Sequence, residues 1–90
     1  MAEYNARIRT AYKTLKEMGV PVIDPDRGWG GYFAISAESG EDAPDGESWA
    51  DYWQPSLGEF GVHQLLVDTL TDYGLYAEWV NPGVLGVYDI

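Results

Sequence analysis

The triplet Asn81-Pro82-Gly83 separates Leu75-Tyr-Ala-Glu-Trp-Val80 from Val84-Leu-Gly-Val-Tyr-Asp89, and this leaves the end of the sequence few ways to fold. Proline presets the first central φ of a β-turn, and glycine accepts the positive φ that a type II turn needs at the next position. Apolar, aromatic and β-branched residues on both sides make the segment a predicted hairpin. A lone hairpin is marginal in water. The rest of the chain must therefore extend this antiparallel pair and cover one of its faces.

Two helical patterns are available to do so. In residues 3–18, Tyr4, Ile8, Ala11, Tyr12, Leu15 and Met18 follow the rhythm of an amphipathic helix. Glu3 falls in its first turn and Lys16 in its last, as the helix dipole prefers. Gly19 and Pro21 mark the stop. The second helix is expected over 57–73, with Val62, Leu65, Leu66, Leu70 and Tyr73 as its stripe and Gly74 as its end. Ser56 and Glu59 have capping-box spacing; Gly58 and Gly61 weaken the first turn and leave room for a later start. Val20–Ile23 and Tyr32–Ser36 read as strands, the first on an edge because Pro21 cannot donate to a ladder. The order is α-β-β-α-β-β, an α+β domain spanning residues 1–90 with one antiparallel sheet and two helices packed on one face.

Charge is distributed unevenly along this frame. All five bases (Arg7, Arg9, Lys13, Lys16 and Arg27) lie in residues 1–27, and residues 28–90 hold eleven acids and no Lys or Arg, for a net charge of −10. Nucleic acids and anionic membranes are bound through cations, so direct contact with either is disfavoured. The same field attracts a basic partner and speeds its encounter. No apolar run is long enough to span a bilayer. The N-terminus lacks the apolar core of a signal peptide, and the sequence has no cysteine. A cytoplasmic protein without disulfides or thiolate chemistry is expected.

The acids concentrate in a Gly/Pro-rich insertion at about 37–55. Glu38, Glu41, Asp42, Asp45, Glu47 and Asp51 are joined there by Trp49, Tyr52 and Trp53. Tyr and Trp ringed by charge are what binding surfaces are made of, although large aromatics in a small domain are more often core. Trp49 and Trp53 are four residues apart, and a helical turn over 48–54 would put both on one side. All nine residues are candidate partner-binding positions. Fully extended, residues 38–51 would reach at most ~45 Å, enough to line a nucleic-acid groove.

Catalytic and metal-binding patterns are weak. His63, the sole histidine, follows an apolar position of the expected helix and has neither a cysteine nor a serine motif to serve. A helix-surface or partly packed histidine is the plainer reading. Asp24-x-Asp26 lacks the later ligands of a calcium loop. Glu41, Asp42, Asp45 and Glu47 supply oxygens of the kind that acidic loops offer divalent ions non-specifically. Gly28-Trp-Gly-Gly31 has no phosphate-binding spacing and no lysine nearby; a turn with Trp29 against the sheet is expected. Neither a cofactor, a metal nor an enzymatic activity is expected.

In size, acidity and lack of catalytic groups the chain is similar to small phage-encoded inhibitors of host defence, the anti-CRISPR and anti-restriction DNA mimics, and to nuclease-immunity proteins. That likeness implies a viral protein acting in the host cytoplasm, an inhibitor bound to a basic nucleic-acid-binding or nuclease complex. The competing expectation is a halophile-adapted structural or assembly protein whose acidity suits its solvent. Exposed tryptophans or an unpaired edge strand would equally serve a homodimer.

Overall fold

The computed structural model describes residues 6–23, 31–38, 42–53 and 58–90. Helix α1 (Ala6–Met18) buries Ile8, Ala11 and Leu15 completely. It closes with Gly19 at φ +93°, where Gly19 N donates to Lys16 O and Val20 N to Leu15 O. That pair of bonds is a Schellman stop, and glycine is there because its backbone must turn left-handed. Strand β1 (Val22–Ile23) follows Pro21 and pairs antiparallel with β2 (Phe33–Ser36).

The second half departs from expectation at its start. Residues 58–63 form a small hairpin, β3 (Gly58–Glu59) against β4 (Val62–His63), and helix α2 covers only Gln64–Asp72. Its N-cap is His63, so the predicted Ser56–Glu59 capping box is not what starts it. The reason is local: Phe60 and Gly61 both have positive φ, 54° and 82°, which no helix accommodates. Gly74, at φ +72°, ends the helix as predicted.

Strands β5 (Leu75–Asn81) and β6 (Val84–Asp89) form the expected hairpin, with a bulge between Trp79 and Asn81. The turn is not type II, because Gly83 does not lie in the left-handed region. Asn81 Oδ1 instead accepts from Gly83 N at 2.8 Å. The four-stranded antiparallel sheet has the order β1-β2-β6-β5. This is an α+β architecture with its helices on the sheet, and β1 is an edge strand as Pro21 implies.

The register aligns Phe33 with Val87 and Ala77, and Ile35 with Leu85 and Trp79, on one face. These residues join Ile8, Ala11 and Leu15 of α1 and Leu66 and Leu70 of α2 in a single core. The Tyr12 ring meets Phe33 edge-on at 5.3 Å. Arg7 ties three elements together. Its Nη1 donates to Tyr73 O at 2.9 Å and its Nη2 to Asp89 at 2.6 Å. A cation is thereby placed at the C-terminus of α2. The basic helix thus finds an acidic partner in β6. Tyr4, Asp24, Asp26 and the Gly28–Gly30 turn with Trp29 lie outside the described residues.

Candidate functional site

The acidic stretch turns back on itself and does not lie extended. Ala43 N donates to Glu47 O at 2.7 Å and Gly46 N to Ala43 O at 2.9 Å, and Asp42 bridges Ser48. Pro44 and Asp45 occupy the centre of this turn and Gly46 follows at φ +86°, an arrangement suited to a three-residue hairpin loop. The chain then runs along β4. Ala50 bridges Val62, Asp51 N donates to Gly61 O, and His63 N donates to Trp49 O. Ala43, Trp49 and Ala50 belong to the core, so the turn is anchored at both ends. The ~45 Å reach of a fully extended segment is not used.

Asp45 is the pinned carboxylate. Its Oδ1 accepts from Glu47 N at 3.0 Å and its Oδ2 bonds His63 Nε2 at 2.8 Å. The Glu47 amide first, and the His63 ring second, hold the Asp45 carboxyl below the usual aspartate range. His63 Nδ1 accepts from Leu65 N at 3.1 Å as the cap of α2. The ring proton therefore sits on Nε2 and is donated to Asp45. With both nitrogens engaged, this imidazole has no free lone pair with which to take a substrate proton. Its ring edge also meets Trp49, centroids 5.7 Å apart.

The aromatic residues separate. Trp49 is 1% exposed and Trp53 76%; in place of the expected helical turn, Ala50 bridges Val62 and the chain turns at 52–53, which leaves one ring buried and the other exposed. Trp49 is a core residue and presents nothing to a partner. Tyr52 meets both Trp53 and Trp79 edge-on, at 5.1 and 5.3 Å. Trp79 Nε1 in turn donates to Phe60 O at 2.8 Å. Trp53, Tyr52 and Trp79 thus form a chain of rings, which Trp79 ties to the Phe60 backbone. Beside it lies a groove of about 680 Å³ between α2 and β5, lined by Phe60, Val62, Val67, Leu70, Trp79 and Glu78 among others.

Of the predicted positions, Asp42, Asp45 and Glu47 share the acidic hairpin and are exposed, and Asp51 is half-buried. Asp51 Oδ1 accepts from Trp53 N and so fixes the start of the aromatic chain. Glu38 is exposed elsewhere, its carboxylate over the β5–β6 turn, where a Cβ on Gly83 would meet it at 2.6 Å. Glu41 lies outside the described residues. Phe60 and Trp79 were not predicted. Phe60 has a sequence signal, since a bulky residue before glycine stands where a two-residue turn prefers asparagine. Trp79 has none, because its alternation with Leu75 and Ala77 is that of any half-buried strand.

Among the described residues, no group of three or more His, Asp or Glu side chains is placed to hold a metal ion. None of their helices is long and apolar enough to cross a membrane. Comparison with family models, with curated proteins and with solved structures finds no match to this chain.

Proposed function

We propose that this chain is a non-enzymatic acidic binding module that occupies the basic, nucleic-acid-binding surface of a partner protein, an inhibitor of the DNA-mimic kind. The observation that carries the reading is the construction of the acidic hairpin. Asp42, Asp45 and Glu47 are exposed on a backbone closed by its own hydrogen bonds and anchored to the core through Trp49 and Ala50. Carboxylates held this way compete for phosphate-directed Lys and Arg without first losing loop entropy. Residues 28–90 hold no base, so this part of the chain sets no cation against such a partner. Engagement of both His63 nitrogens and the lack of cysteine support a binding role over catalysis.

The test combines capture with competition. Wild type should retain a basic DNA- or RNA-binding protein from lysate, and added nucleic acid should displace it. The variant Asp42→Asn, Asp45→Asn, Glu47→Gln should lose it, by at least tenfold in affinity at low salt, with less difference as salt screens the charges. Equal capture by the variant would reject the reading. Stability that rises steeply into molar salt, with no capture at all, would favour solvent adaptation.

A further inference from the structure

Strand β5 ends the sheet, and its outer side has no paired strand among the described residues. Ile90 N donates to Gly74 O. Ladder alternation in an antiparallel pair then directs the amides and carbonyls of Leu75, Ala77 and Trp79 away from β6. The apolar groove is lined by Tyr76, Ala77, Glu78 and Trp79 of this same strand. A row of outward backbone donors and acceptors beside an apolar groove is what strand addition uses: the backbone supplies binding, and alternate side chains enter the groove.

Phe60 points to a use for this groove. It occupies the first central position of the β3–β4 turn at φ +54°, with Gly61 following at +82°. Positive φ at both central positions is the requirement of a type I′ turn, for which asparagine or aspartate is preferred and phenylalanine is strained. The ring is nevertheless 76% exposed, so core packing does not explain it. It forms one lip of the groove, and Trp79 forms another while holding the Phe60 carbonyl.

Charge selects the occupant. A second copy would bring together two chains of net charge −10. The register that pairs β5 with itself over its whole length centres on Glu78 and sets two carboxylates directly opposite. Glu78 in mid-strand and the bulge after Trp79 guard this edge against its own kind. To a strand carrying Lys or Arg, Glu78 is an attraction.

We propose that the β5 edge and its groove bind an extended segment of a partner protein in which Lys or Arg alternates with aliphatic residues. The inference rests on the basic partner proposed above and adds a second point of attachment.

The probe is an end-blocked (Lys-Val)4 peptide followed by amide NMR and titration. Its addition should shift the amides of Leu75, Ala77 and Trp79, and end-blocked (Glu-Val)4 and (Lys-Gly)4 should not. Phe60→Asn gives the turn its preferred residue, so it should melt no lower than wild type yet bind (Lys-Val)4 at least fivefold more weakly. Ala77→Pro removes one outward amide and no ladder bond to β6, and should abolish the shifts. Equal shifts with (Lys-Gly)4, shifts confined to residues 42–51, or undiminished binding by both variants would overturn the proposal. The same amides shifting with protein concentration alone would also overturn it, in favour of a second copy. In the Asp42/Asp45/Glu47-neutralised chain the peptide should still reach β5. If it does while that chain keeps its captured partner, the mimic reading fails and the edge inference stands. If the peptide misses β5 in wild type while neutralisation abolishes capture, the edge inference fails and the mimic reading stands.

Discussion

Trp49 carries its indole N–H into the core, where Nε1 is buried without a hydrogen-bond partner among the described residues. An orphaned buried donor costs about 1–3 kcal/mol, and the side chain is retained for its volume: it touches the His63 ring and closes the base of the acidic hairpin. Removing the ring altogether, Trp49→Ala, should destabilise by about 3–5 kcal/mol. Trp49→Phe trades lost volume against the removed orphan and should lie within about 1–2 kcal/mol of wild type. Urea unfolding of both variants measures the difference, and equal losses would show that the void is filled by collapse. At this scale the sequence was ambiguous for a definite reason. The residues that decide the burial of Trp49 are Val62 and His63, 13 and 14 positions further on. Local spacing suggested a shared helical face; pairing of 49–51 with β4 buried Trp49, and the turn at 52–53 left Trp53 exposed.

The acidic hairpin is the element whose character changed most between sequence and structure. Its turn was locally legible, since Pro-Asp-Gly is a turn signature. Its anchorage was not, because the bonds that fix it come from β4 and from the cap of α2. Two of the chain's glycines measure how differently turns constrain their residues. A Cβ on Gly46 would meet nothing within 4 Å, so Gly46→Ala should cost only the left-handed backbone term, about 1–2 kcal/mol. A Cβ on Gly31, at φ +79°, would fall 2.1 Å from Val87 O. Gly31→Ala must displace backbone and should cost clearly more, with lost amide protection at Tyr32 and Val87. Similar melting temperatures for the two variants would contradict this. The start of α2 shows the opposite case, in which a correct apolar stripe ran on too far. Val62 belongs to both the helical pattern and the β4 pairing, and the Phe60-Gly61 turn decided between them.

Over the whole molecule, acid sensitivity reports how far the negative charge is internally used. The Tyr32 hydroxyl, and Arg7 second, hold the Asp89 carboxyl below the ordinary aspartate range, as Glu47 N and His63 do for Asp45. A depressed folded-state pKa stabilises above the unfolded value of about 3.9, and that contribution is lost as pH falls through the folded-state value. Protonation also relieves the self-repulsion of a chain at −10, so the wild-type profile mixes two opposite effects. Comparison with Tyr32→Phe separates them. The variant should be less stable at pH 7, and the deficit should shrink below about pH 4. A deficit constant from pH 2 to 7 would show that the hydroxyl does not act through Asp89.

By itself the sequence determined the helix over most of α1, the β5–β6 hairpin, the edge position of β1, the α+β class and the one-sided charge. Each follows from neighbours within a turn or two, or from composition, and needs no distant contact. Only the tertiary structure decided the insertion of β6 between β2 and β5, the burial of Trp49, the pinning of Asp45 by His63, and the groove that Phe60 overhangs. These depend on residues from 14 to 54 positions apart meeting in space, and such meetings are selected by the closing of one common core.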